Sequence, residues 1–214
     1  IDSVYRQAEK YPGQMVMAYS TDDIMRARSG KQKRLAALMG LEGGHAIEND
    51  LALLRNFYRL GVRYMTLTWA NTNEWADSSG DINDSKVQHH NGLTEFGKQV
   101  VAEMNRLGMM VDISHVADKT FWDVMQVTRA PVIASHSSAR ALCNVPRNLA
   151  DDMLKAVTKN GGVVMVNFYP AFIDQKFADA SKAMADERRA ALDAVQEKLK
   201  NADPATQWRE EEKV

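Results

Sequence analysis

Cysteine is nearly absent from this sequence: Cys143 is the only one in 214 residues. A single thiol excludes an internal disulfide and a cysteine-built zinc site. It does not decide the redox compartment, because many exported proteins also lack disulfides. No apolar run comes near the roughly 20 residues of a membrane-spanning helix, and no signal peptide is recognisable. Charge of one sign is not in excess either. The 27 Lys and Arg face 28 Asp and Glu, a formal net charge of −1, which gives no electrostatic ground for a nucleic acid or an anionic membrane as partner. There is no internal repeat and no glycine-rich phosphate loop, and the Gly43-Gly44 pair lacks the spacing of a dinucleotide fingerprint. The chain opens on Ile1-Asp2-Ser3 without a Met and stops in a charged run, Arg209 to Val214, with no helix cap. Both ends read as cuts through a longer protein.

What is present is an alternation of apolar β-type runs and segments of helical spacing. The strand expectations are Gln14–Tyr19, Leu35–Leu41, Val62–Thr68, Met109–Ile113, Pro131–Ala134 and Val163–Phe168. Helices are expected between them, among them Asn49–Leu60, Thr94–Leu107, Val116–Thr128 and Asp151–Thr158, with glycines following at 61, 108 and 161. Strands that alternate with helices and are themselves mostly apolar indicate an α/β fold with parallel pairing. Polar residues after several successive strands favour a (β/α) barrel over an open sheet. Trp69–Leu93 is a long polar stretch, a length that in a compact domain is either functional or disordered. Residues 1–173 are expected to form the barrel domain, and 174–214 a charged helical insertion or lid, solvated because its acidic and basic residues balance.

Three strand ends carry candidate metal ligands: Glu42, His115 and His136. Each histidine follows a serine at the end of an apolar run, Ser114-His115 and Ser135-His136, and parallel strands joined by a helix bring such ends side by side. Two imidazole nitrogens and a carboxylate oxygen suit zinc and other borderline divalent metals. The chemistry that follows is activation of water for attack on a carbonyl. The bland alternative for a single strand-end histidine is a hydrogen-bonded structural role; two on neighbouring strands with a Glu on a third favour the metal. His45, just after the glycines, reads as a ligand or, preferably, as a partner that orients one. His89 and His90 lie in the polar stretch and are expected to be solvated. Asp112 either faces a helix or supports a ligand. Arg147, beside Pro146, either binds a substrate carboxylate or is a surface residue.

At these residues the sequence resembles the membrane dipeptidase (renal-type dipeptidase) family. The likeness runs from about Met17 to Tyr169. It rests on Leu41-Glu-Gly-Gly-His45, Arg63-Tyr-Met-Thr-Leu-Thr68, Trp75-Ala-Asp77, Gly92-Leu-Thr94, Val111-Asp-Ile-Ser-His-Val116, Ala130-Pro-Val-Ile-Ala-Ser-His-Ser-Ser138, Arg147-Asn-Leu-Ala-Asp-Asp152 and Val164-Met-Val-Asn-Phe-Tyr169. The resemblance implies a (β/α)8 TIM barrel, of which this chain would cover about strands 3 to 7. It implies a two-zinc site that cleaves dipeptides, often with a D-residue at the C-terminal position. Glu42 would bridge the two metals, His115 and His136 would complete one zinc, and Arg147 would contact the substrate carboxylate. One incomplete metal site would lie in this chain. No side chain in it is assigned as catalytic acid or base, and little activity is expected of the 214 residues alone. Family members are often exported or membrane-anchored, and a homodimer is compatible with the reading.

The sequence departs from the family pattern in three places. It contains no His-x-Asp pair, the family's ligands for the other zinc on the first strand. The late Asp of the last strand is also missing. Trp69 stands where the family often has a His that meets the substrate, and an indole can neither accept a hydrogen bond nor ligate metal. Two alternatives therefore stand beside the dipeptidase: a related amidohydrolase acting on another amide or lactam, and a catalytically silent relative that keeps the fold for binding.

Overall fold

A computed structural model of the chain describes residues 1–29, 32–200, 202–211 and 213, with backbone alone at 204–206 and 211. The chain opens with α1 (Asp2–Lys10), β1 (Met15–Met17), α2 (Thr21–Ser29) and β2 (Leu35–Ala37), and β1 and β2 pair in parallel. The main sheet follows: β3 (Met39–Glu42), α3 (Leu51–Arg59), β4 (Val62–Thr66), α4 (Glu95–Leu107), β5 (Met110–Asp112), α5 (Asp118–Val127), β6 (Ile133–Ser137), α6 (Asp151–Asn160) and β7 (Val163–Val166). Its five strands are parallel and lie in chain order, β3-β4-β5-β6-β7. That is the βα repeat expected of a barrel wall.

Local chemistry sets the helix limits. Asp50 caps α3 by accepting from the Ala52 amide at 2.7 Å, and Thr94 caps α4 by accepting from the Gly97 amide at 3.2 Å. Gly108 and Gly161 end α4 and α6 in the left-handed region, at φ 78° and 79°. The core lies between the helices and the sheet, where Leu54, Met65, Leu67, Val100, Met104, Val111, Phe121 and Val132 are fully buried with Trp75.

One strand expectation changes. The single strand expected over Leu35–Leu41 is two: Leu38 ends the pairing with β1, and β3 turns to pair with β4. β7 is the end strand of the described sheet, with Val166 61% and Phe168 82% exposed, because β6 alone pairs with it among the described residues. The 69–93 stretch is ordered. Asp77, fully buried, accepts from the His90 and Gly92 amides at 2.8 Å each, and Asp81 accepts from the amide and hydroxyl of Thr72.

Within 174–214, α8 (Gln175–Leu199) starts on the Asp174 cap, with its Ala178 buried and most of its length exposed. A shorter α9 (Pro204–Glu211) follows it. Residues 201, 212 and 214 lie outside the described residues. The connector before α8 carries one helical turn, α7 (Pro170–Ile173).

Candidate metal centre

Register places the site. Glu42 pairs with Thr66, Thr66 with Asp112, and Asp112 with Ile133. One row of residues thus crosses β3, β4, β5 and β6, and His115 and His136 each lie three residues beyond their paired position. The sequence reading put both histidines past their strand ends. That holds for His115, whereas His136 lies inside β6, where the pairing with β7 shifts register between Ala134 and Ser137. Such an irregularity re-aims side chains.

The three expected ligands meet. Glu42 Oε1 is 3.1 Å from His115 Nε2 and 3.0 Å from His136 Nε2, and the two Nε2 atoms are 2.8 Å apart. All three donor atoms lie within 4.8 Å of one another, which makes the trio a possible cation site. Glu42 is half-exposed and the imidazoles are mostly covered, so the site opens to solvent on the carboxylate side. His115 has φ +69°, an uncommon left-handed conformation for a side-chain-bearing residue. Its carbonyl is fixed by the Ser79 amide at 2.7 Å and the Ser79 and Ser78 hydroxyls at 2.9 and 3.2 Å. The long polar loop therefore over-determines the backbone that aims this imidazole. Burial chiefly, then the Arg147 guanidinium and His136, hold the His115 imidazole down at about 4, so it is neutral and able to ligate near pH 7; Asp112 and the Trp69 backbone act the other way.

Asp112 faces neither solvent nor a helix. Its Oδ1 accepts from the amides of Ser114 and Ser135 at 3.0 Å each, and its Oδ2 accepts from the Thr66 hydroxyl at 2.7 Å and from the Ser135 hydroxyl. The Ser114 hydroxyl in turn accepts from the His136 amide at 3.0 Å. One buried carboxylate thus ties the ends of β4 and β5 to the middle of β6. The serines before each histidine were visible in the sequence; their convergence on one aspartate was not.

The glycine pair is explained by space. Gly43 has φ +104°, and a Cβ on Gly44 would come within 2.3 Å of the Trp75 ring and 2.6 Å of the Leu67 carbonyl oxygen. His45 leaves the trio and pairs with Asn71, Nε2 to Nδ2 at 3.0 Å. The solvated expectation for His89 and His90 is corrected: both are half-buried, His90 Nε2 lies 2.9 Å from the Asn73 carbonyl, and His89 stands 3.8 Å from Asp77. Folding of the loop around Asp77 carries both inward.

Arg147 is half-buried beside the trio. It donates to the His136 carbonyl at 3.1 Å and lies 5.2 Å over the Phe172 ring. Burial lowers its guanidinium to about 10, still charged near pH 7, and Asp112 and Glu42 oppose that shift. Trp69 is 52% exposed, and its Cβ would lie 3.5 Å from a Cβ on Gly43, the residue after Glu42.

The chain is similar to several known proteins. The family model for membrane dipeptidase (peptidase family M19) matches residues 1–203. Human Dipeptidase 3 is 46% identical over 159 residues, 71% of this chain and 32% of that protein. Dipeptidase tcpJ of Claviceps purpurea is 46% identical over 171 residues, 79% of this chain and 39% of that protein. Among solved structures, the probable dipeptidase PvdM of Pseudomonas aeruginosa superposes with a TM-score of 0.76 at 30% identity, over 93% of this chain and 48% of that one. A metallopeptidase of Rhodobacter sphaeroides, solved with a phosphinate mimic of the dipeptide L-Ala-D-Ala, gives 0.73 at 29%, over 81% and 49%. The chain spans about a third to a half of the length of these relatives. Its parallel α/β sheet is part of the TIM barrel of these neighbours. By its sequence match and by its fold, this chain belongs to the membrane dipeptidase family, peptidase family M19.

Proposed function

We propose that this chain carries part of the active centre of a zinc-dependent dipeptidase that accepts a D-residue at the C-terminal position of its substrate. The observation behind the reading is the convergence of Glu42 from β3, His115 from the end of β5 and His136 from β6. The donor set fits zinc: one carboxylate oxygen and two imidazole nitrogens, with His115 kept neutral by burial. Zinc there supplies Lewis acidity and water activation near neutral pH. Glu42, His115 and His136 would hold one zinc, and in the whole protein Glu42 would also contribute to a second; these 214 residues contribute one incomplete site and little dipeptide turnover.

The chain's own residues bind and orient the substrate. Arg147 has a single hydrogen-bonding partner, the His136 carbonyl, and no carboxylate paired with it among the described residues. Its remaining N–H groups are suited to the dipeptide carboxylate. Trp69, standing beside Gly43, supplies an apolar wall where the substrate side chain lies. The charged segment from 174 acts as an insertion or lid. No side chain in this chain is assigned as the proton acceptor.

Trp69 also favours a second reading, a relative acting on another amide or a lactam, because an indole offers no acceptor to a peptide N–H. Metal analysis of the full-length protein, with turnover measured on L,L-dipeptides, L,D-dipeptides and a lactam, separates the readings. Two zincs per chain with dipeptide turnover is the expected result. Metal with lactam turnover alone would transfer the assignment to the second reading. A protein that binds no metal would remove both and leave a binding relative.

A further inference from the structure

The Ser135 side chain stands between a carboxylate and a candidate ligand. Its Oγ lies 2.7 Å from His136 Nδ1 and is also hydrogen-bonded to Asp112 Oδ2. A hydroxyl has one proton to give, and a carboxylate can only accept. If Ser135 donated to His136, its oxygen would face the Asp112 oxygen lone pair to lone pair. The arrangement is consistent in one direction: Ser135 donates to Asp112, and His136 Nδ1–H donates to Ser135. The same aspartate also holds the Ser135 amide at 3.0 Å, so hydroxyl and backbone are fixed together.

We infer that Ser135 is a positioning residue that, anchored by Asp112, keeps the His136 proton on Nδ1 and so leaves the Nε2 lone pair free toward Glu42 and His115. The inference deepens the proposed zinc reading and rests on it. The physical reason is tautomer choice. A neutral imidazole carries its proton on one nitrogen or the other, and a partner on Nδ1 decides which one can ligate. His115 has no comparable device: its Nδ1 is buried and makes no hydrogen bond of good geometry. Of the two imidazoles, His136 is the one with a side-chain hydroxyl on its Nδ1.

The test reads the tautomer without metal. The full-length protein is labelled with 15N-histidine, stripped of metal, and compared by nitrogen–proton correlation with the Ser135→Ala, Ser135→Thr and His136→Gln proteins, the last to assign the His136 signals. The expected result is a wild-type His136 with protonated Nδ1 and bare Nε2. Ser135→Ala should shift the ring toward the Nε2–H form and weaken zinc binding roughly 10- to 100-fold in a chelator competition. Ser135→Thr, which keeps the hydroxyl, should restore both. A wild-type His136 protonated on Nε2 would overturn the inference whether or not the Ser135 variants fold. So would zinc binding by folded Ser135→Ala as tight as wild type. If wild type shows the Nδ1–H tautomer and binds no zinc, the failure lies with the metal reading and the role of Ser135 stands.

Discussion

At the scale of single residues, the site is a set of short distances that each depend on one atom. Replacing Glu42 by Gln keeps the shape and removes the charge. Zinc affinity should fall by more than the ~10–100-fold that accompanies loss of a group which only orients a ligand, and titration against a chelator measures it. Arg147 is proposed to hold the substrate carboxylate. Arg147→Met should raise KM for dipeptides roughly 10-fold or more with a smaller change in kcat, because a carboxylate contact made equally in substrate and transition state is lost. Lys at the same place should recover little, since it lacks the planar fork. Equal losses in kcat and kcat/KM would instead mean that Arg147 acts on the transition state. Gly44 is limited by space. A methyl group there meets Trp75 and the Leu67 carbonyl, so Gly44→Ala should lower stability by about 1–3 kcal/mol in denaturant unfolding.

At the scale of elements, two assemblies can be tested. The loop 69–93 hangs on Asp77, which accepts two backbone amides, and it delivers the serines that hold the His115 carbonyl. Asp77→Ala leaves those amides unsatisfied. Hydrogen exchange should rise across 69–93, and stability should drop by about 1–3 kcal/mol; unchanged protection there would show that the loop is held from elsewhere. The second assembly joins α3 to α4. Glu103 accepts from Arg106 of its own helix at 2.6 and 2.8 Å and from Arg55 of α3 at 3.0 Å. The Arg106 hydrogen bonds first, then Arg55, hold its carboxyl at about 2, against an ordinary value of 4.5. A carboxyl lowered in the folded state contributes its stability above the ordinary value and loses it as the pH falls toward 2. Glu103→Gln should therefore flatten the fall in stability between pH 4.5 and 2, and leave the region above pH 6 parallel to wild type.

At the scale of the whole molecule, the sheet has end strands. β3 and β7 each have one neighbour in the five-stranded sheet, and β7 leads into exposed apolar residues, Val166, Phe168 and Tyr169. Unpaired strand groups beside apolar side chains favour association. The 214-residue chain by itself should self-associate at roughly 0.1 mM in sedimentation velocity, and Val166→Lys with Phe168→Ser should reduce it. A chain that stays monomeric at that concentration would remove the argument. The same measurement on the full-length protein determines whether it is a homodimer.

The sequence by itself determined the class of the protein. The βα alternation and the glycines after α4 and α6 are local signals, and local signals survive without knowledge of the fold. That Glu42, His115 and His136 meet was legible for a related reason: parallel strands of one sheet bring their C-terminal halves to the same side. Only tertiary structure decided what Asp112 does, why Gly43 and Gly44 stand together, and that His89 and His90 turn inward. Each of those depends on a partner far away in the chain. No periodicity records that Ser135 meets Asp112, or that Trp75 fills the space where Gly44 has no side chain.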